Sequence, residues 1–156
     1  MVWSVGQKLH GDRFTIEREL ERGHFGITYI GSEGSRNRVV IKTINDDLLH
    51  QLTPPEIELL QEKFLQEVVK LAKLRHPHLV QIKEPFIEED RVCIIMDYIE
   101  GTNLATHGQN QLPEQDALRY IQQIGAGLKL IHENGLVHRG VKPGNIIIRA
   151  DRKSVV

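Results

Sequence analysis

Only one of the 156 residues is cysteine, and neither sign of charge dominates: 20 lysines and arginines face 21 aspartates and glutamates, for a formal charge of −1. A lone thiol excludes an internal disulfide framework. Cys93 lies inside the apolar run Val92-Cys93-Ile94-Ile95-Met96, where a buried, inert thiol in a reducing cytoplasm is the expectation. A balanced charge lacks the basic footprint of a protein that works on nucleic acid or anionic lipid, so neither is an expected partner. No apolar run approaches the roughly 18 residues of a membrane span. The start, Met1 to Lys8, has no basic segment leading into a long apolar one, so secretion and membrane insertion are both disfavoured. Internal repeats and low-complexity tracts are absent as well.

What is present reads as a folded chain, 40% apolar with 13 glycines besides. Its length suits one domain with a sizeable core, or one lobe of something larger. Residues 14–20 alternate apolar with polar as a half-buried strand does, and Ile27-Thr28-Tyr29-Ile30 continues in β-prone residues after a glycine-bearing turn. A third strand is predicted at 38–44, and two more at 81–87 and 91–97, joined through Glu88-Glu89-Asp90. Between them, Thr53-Pro54-Pro55-Glu56 is a helix start. The apolar positions Ile57, Leu60, Phe64, Val68, Leu71 and Leu74 carry that helix to about Leu74 on one face.

Beyond Gly101 the chain changes character. Pro113-Glu114 opens a long amphipathic helix with an expected apolar stripe of Ala117, Ile121, Ile124, Leu128 and Ile131, stopped at Asn134-Gly135. A polar loop, a short strand at Ile146-Ile147-Ile148, a turn and the start of another strand at Val155 follow.

Three groups of residues bear on chemistry. Gly23-His24-Phe25-Gly26 joins two strands, and alone such glycines more often serve only the turn. It is not a dinucleotide fingerprint, because it leads into a strand instead of a helix, and it lacks the Gly-Lys-Ser/Thr ending of a P-loop. Lys42 stands 16 residues after Gly26, at the end of the run Val39-Val40-Ile41. A lysine rooted in a half-buried strand needs an anionic partner, and Glu67 on the long helix can supply it. An edge-strand lysine and a solvated glutamate are the plainer alternative for either residue alone. The third group is Val137-His138-Arg139-Gly140-Val141-Lys142-Pro143-Gly144-Asn145, between a long helix and an isoleucine-rich strand.

Taken in order, a glycine loop ending in Phe-Gly, a strand lysine, a helix glutamate, a hinge and a His-Arg-x-x-Lys-Pro-x-Asn loop, the chain resembles the eukaryotic-type (Hanks-type) Ser/Thr protein kinases from about Phe14 onward. The resemblance implies an α+β, protein-kinase-like fold: a five-stranded antiparallel small lobe with one long helix, and an incomplete helical large lobe. It implies residues 1–13 as an N-terminal extension, 14–99 as small lobe and hinge, and 100–156 as part of the large lobe. ATP with Mg²⁺ is the implied cofactor. By position, Gly23, Phe25 and Gly26 belong to the loop over the phosphates. Lys42 matches the lysine on the α- and β-phosphates, and Glu67 the glutamate that holds it. Leu20, Thr28, Val40, Met96 and Ile147 match the residues that sandwich adenine. Asp97 and Ile99 match the hinge, and Asn103 the ribose contact. Lys142 matches the lysine on the transferring phosphoryl group, and Asn145 a magnesium ligand.

Three departures weigh against catalysis. Glu21 replaces the first loop glycine and adds a negative charge where phosphates are expected. Gly140 occupies the place of the catalytic aspartate, so no side chain there can accept or orient a substrate hydroxyl proton. Only 11 residues follow Asn145, and none forms an Asp-Phe-Gly motif, the family's principal metal site. The expectation is therefore a truncated, kinase-family chain that transfers phosphate poorly or not at all, the alternative being a non-catalytic, pseudokinase module that binds nucleotide or protein. A protein partner covering the incomplete large lobe is a further expectation, together with weak protection of the 114–134 helix. The eight histidines form no metal set; His76-Pro77-His78 is too closely spaced for a helical pair. Trp3 and the first dozen residues carry no readable pattern.

Overall fold

A computed structural model describes residues 3–107 and 111–156; Met1, Val2 and 108–110, which fall in the predicted extension and large lobe, lie outside the described residues. The chain forms two compact units, Met1–Ala72 with Ile82–Tyr98, and Lys73–Gln81 with Ile99–Val156.

The first unit is built on an antiparallel sheet. Its strands are β1 (Lys8–Leu9), β2 (Phe14–Arg22), β3 (Gly26–Glu33), β4 (Asn37–Ile44), β5 (Ile82–Glu88) and β6 (Arg91–Asp97), ordered β1-β2-β3-β4-β6-β5. The five strands expected from the sequence are all present, and β1 adds a sixth, two residues long, against the start of β2. Residues opposite one another in an antiparallel pair project from the same face. Pairing of Tyr29 with Ile41, Ile41 with Ile95 and Thr43 with Cys93 thus collects the bulkiest side chains on one side. Ile27, Tyr29, Val39, Ile41, Cys93 and Ile95 join Phe14, Ile16 and Phe86 in a core that Trp3 and Leu9 complete, leaving those two only 3% and 1% exposed. The Trp3 ring lies 5.4 Å from that of Tyr29.

Helix α1 (Asp46–Leu49) is a single turn after β4, and α2 (Pro54–Leu71) follows. Glu56 Oε2 accepts from both the Thr53 amide (2.8 Å) and the Thr53 hydroxyl (2.7 Å), which fixes the start where the Thr-Pro-Pro-Glu pattern put it. The helix ends at Leu71, three residues before the expected Leu74. The Ala72 amide still donates to Val68 O (2.8 Å), but the following residues Lys73–Gln81 belong to the second unit. Gln61 fastens α2 to the sheet, since its Oε1 accepts from the Val92 amide (2.7 Å) and its Nε2 donates to Asp90 O (2.9 Å).

The second unit contains β7 (Thr102–Asn103), α3 (Leu104–His107), α4 (Glu114–Glu133), a 3-10 turn (Pro143–Asn145), β8 (Ile147–Ile148) and β9 (Ser154–Val155). Its sheet runs β7-β8-β9, and the segment before β5 clasps its end: Val80 N donates to Val156 O (2.8 Å) and Val156 N to His78 O (3.1 Å). The buried line on α4 is Tyr120, Ile124, Gly127 and Ile131: of the expected stripe, Ile124 and Ile131 are buried and Leu128 packs beside the core, whereas Ile121 is 67% exposed and Tyr120 and Gly127 join the line instead. Gly127 explains the shift. A Cβ there would stand 2.9 Å from Leu79 Cδ2, so the helix approaches its neighbour most closely at a residue that hydrophobicity counting ignores.

Candidate functional site

Strand register assembles one predicted set on one face of the first unit. Lys42 stands opposite Thr28 on one side and Ile94 on the other, Val40 stands opposite Met96, and Gly26 opposite Ile44. By the same-face rule, Gly26, Thr28, Val40, Lys42, Ile94 and Met96 share the side away from the tryptophan core. Helix α2 covers part of that side: Val68 packs with Ile94 and Ile82, with Phe64, Leu71 and Met96 beside them. Glu67 is the residue before Val68 and is half-buried. Lys42 and Glu67 are thus both anchored next to Ile94, one in the adjacent strand and one in the helix above it.

The glycine hairpin between β2 and β3 lies at the end of this face. A side chain at Gly26 would bring its Cβ 2.9 Å from Thr43 O and 3.3 Å from Lys42 Cε, so the lysine stem runs directly beneath a position that admits only glycine. Gly23 N donates to Gly26 O (2.9 Å) and closes the hairpin. Phe25 at its tip is 71% exposed, and Leu20 is 48% exposed at an irregularity in β2 between Glu19 and Glu21. Glu21 pairs with Thr28 and is solvent-exposed. One residue of this region carries no motif in the sequence: Asn45, 4% exposed, donates from Nδ2 to Gly23 O (2.7 Å).

Asp97 ends β6, its carboxylate 3.4 Å from Lys83 Nζ, and the division between the units falls between Tyr98 and Ile99. In the second unit, Asn103 pairs with Ile147 across β7 and β8. Its side-chain oxygen accepts from the Thr106 amide (2.9 Å) and hydroxyl (3.1 Å), so it caps α3, a role the sequence reading did not assign.

The loop from Val137 to Asn145 is held by its own polar groups. Gly140 N donates to His138 Nδ1 (3.1 Å), and Asn145 Nδ2 donates to Gly140 O (2.8 Å). Arg139 adopts φ +60°, the left-handed region that non-glycine residues seldom enter. A Cβ on Gly140 would meet nothing closer than 3.4 Å, the nearest atoms being Asn145 Nδ2 and His138 Nδ1. Lys142 is exposed and precedes the 3-10 turn.

A protein kinase domain model matches residues 14–155, nearly the whole described chain. The chain belongs to the protein kinase family. Among its curated relatives are the Ser/Thr protein kinase PkaB of Streptomyces coelicolor, 31% identical over 140 residues, and the Ser/Thr protein kinase pkn2 of Myxococcus xanthus, 34% identical over 140 residues. These alignments take in 88% and 87% of this chain but 32% and 16% of the relatives, so the chain spans a third or less of their length. Solved structures agree on the fold. PpkA-294 in its apo form superposes with a TM-score of 0.77 at 22% identity, over 98% of this chain and 59% of that one. The Mycobacterium tuberculosis PknI kinase domain gives 0.76 at 21% identity, over 99% of this chain and 60% of that one.

The kinase fold calls for ATP and Mg²⁺, and the residues present fit them unequally. The nucleotide is well served, because the lysine stem and the glycine of a hairpin, Gly26, lie together on one face. For the metal, Mg²⁺ takes oxygen ligands. With its Nδ2 committed to Gly140 O, Asn145 has its Oδ1 as the oxygen for that task. No group of three or more His, Cys, Asp or Glu residues able to hold a metal occurs among the described residues. This donor set suits an ion carried in on phosphates, not one held by protein alone. Among the described residues, no helix is long and apolar enough to cross a membrane.

Proposed function

We propose that this chain is the ATP-binding part of a Ser/Thr-kinase-fold protein in which phosphoryl transfer is lost or nearly so. Gly140 carries this reading. The surrounding loop keeps its hydrogen bonds through the Gly140 backbone, yet the position that bears the family's proton-accepting carboxylate has no side chain. ATP, when bound, supplies the phosphoryl group. Lys42 neutralises its α- and β-phosphates, with Glu67 holding the lysine; Gly23, Phe25 and Gly26 cover them. Leu20, Thr28, Val40, Met96 and Ile147 enclose the adenine, whose edge is read at Asp97 and Ile99, and Asn103 lies toward the ribose. Lys142 and Asn145 serve the γ-phosphate and its magnesium.

The division into an N-terminal extension 1–13, a small lobe and hinge 14–99 and a large-lobe part 100–156 belongs to the same proposal. A cytoplasmic place of work rests on the buried, free thiol of Cys93. A second reading, a pseudokinase module that acts by binding a protein, is favoured by the solvent-exposed Leu118 and Ile121 on α4. Thermal melting tests the first reading: millimolar ATP raises the midpoint of the wild-type chain, and Lys42→Met abolishes the rise. No shift with ATP, with or without Mg²⁺, would leave only the protein-binding module. Transfer to a generic Ser/Thr peptide at the family's usual roughly 1–100 per second would overturn the impairment.

A further inference from the structure

We infer that Asn45 is a positioning residue for the phosphate-covering hairpin, acting as a latch that ties the hairpin tip to the end of β4. The inference deepens the ATP-binding reading and rests on it. Asn45 directly follows Ile44, the partner of Gly26 in the last register pair of β3 and β4. Two bonds run from it to the hairpin: its backbone amide donates to Phe25 O (2.9 Å) and its side-chain Nδ2 to Gly23 O (2.7 Å). Its Oδ1 accepts from the Asp47 amide (3.1 Å), capping α1.

The orientation of the amide is dictated by its neighbours. A peptide N–H on one side requires an oxygen, and a carbonyl on the other requires a donor, so the two ends of the group cannot be exchanged. Burying an amide is costly unless both ends are satisfied, and here both are. The hairpin needs such a fastening. Residues 23–25 are solvent-exposed, and glycine at 23 and 26 leaves the backbone with few side chains to pin it. Holding Gly23 O from below keeps the hairpin over the Lys42 stem, where phosphates would lie under it.

Two variants separate the latch from the helix cap. Asn45→Ser keeps a neutral capping oxygen but is too short to reach Gly23 O; Asn45→Asp keeps the capping oxygen and loses the donor. Calorimetric titration with ATP and with adenosine, and single-residue amide exchange by NMR, provide the readouts. For both variants the expected result is an ATP dissociation constant raised by about five- to tenfold, the range of one buried hydrogen bond, with adenosine binding unchanged. Exchange at the Gly23 amide accelerates, while the Leu49 amide, bonded to Asn45 O, stays as protected as in the wild type. Equal weakening of ATP and adenosine, unchanged Gly23 exchange, or an effect confined to Asn45→Asp would overturn the latch, the last by assigning the effect to charge. If the wild-type chain binds neither nucleotide, the ATP-binding reading fails, and Gly23 exchange alone then decides the latch.

Discussion

The central strands β3 and β4 of the first unit close a tryptophan core with residues from both ends of that unit's sequence, whereas helix α4 of the second keeps Leu118 and Ile121 more than half exposed. Both are amphipathic in pattern. What separates them is how many partners each apolar surface meets. β3 and β4 are flanked by strands on both sides and face a core on one side, while α4 has a neighbour along the line from Tyr120 to Ile131 and solvent along the line through Leu118 and Ile121. An apolar pattern in a sequence therefore states a capacity for burial, and the available neighbours decide how much of it is used.

The largest expected effect tests that contrast directly. Trp3→Ala removes a large ring from a closed core and should lower the stability of the first unit by about 3–5 kcal/mol, whereas Ile121→Gln on the open face of α4 should stay within about 0.5 kcal/mol. Urea titration of both variants measures the pair, and equal costs would break the comparison. Next comes hydrogen exchange of the wild-type chain. Amides of α4 should exchange about a hundredfold faster than those of β3, β4 and β6, since an element short of packed neighbours opens locally more often. Equal protection in a dilute monomer would show that the exposed face of α4 costs the helix nothing.

Each unit also holds a partly or fully buried group that ties its stability to pH. Burial pushes the Cys93 thiol up to about 12, against 9.0 when exposed. A raised value of this kind contributes stability that is intact below about pH 9 and is lost as pH climbs toward 12. The first unit should therefore weaken on the alkaline side, and a disulfide thiol reagent should modify Cys93 only at the rate of unfolding. Burial, and secondarily the nearby His78, lowers the His76 imidazole from its usual 6.5. Its contribution is intact above that value and lost as pH falls through the depressed one, so acid should loosen the second unit; fluorescence and circular dichroism of Cys93→Ala and His76→Gln variants separate the two limbs. The smallest effect concerns Glu21, exposed opposite Thr28. Glu21→Gln should tighten ATP by about twofold at low ionic strength, a gain that disappears in high salt; salt-independent tightening would point to a contact instead of a field.

The parts of this molecule that follow short-range rules were legible in its residues. Alternation located β2, β-prone runs between turns located β3 to β6, and Thr53 and Glu56 located the start of α2 to the residue. The order of Gly26, Lys42, Glu67 and Asn145 pointed to the kinase family that the domain match bears out. What escaped depends on residues distant in sequence. The Trp3 and Leu9 side chains look idle until β2 and β3 bring Phe14 and Tyr29 to them. Gly127 looks like a flaw in a helix until Leu79 fills the space its missing side chain leaves. Asn45 stands in no motif, and its side-chain bond to a carbonyl 22 residues earlier is visible only once β3 and β4 have paired. In each case the informative partner lies outside the window over which periodicity can be counted.

The loop around Gly140 has one more consequence, and it concerns descent. Its shape is maintained by His138, Asn145 and the backbone of residue 140 itself, and a Cβ would find ordinary contact distances there. The glycine codons GGU and GGC become aspartate codons by a single base change. Packing around position 140 leaves room for a Cβ, so its neighbours do not impose glycine there. Whether that position carries a carboxylate is thus a matter of chemistry that the loop's own hydrogen bonds leave open.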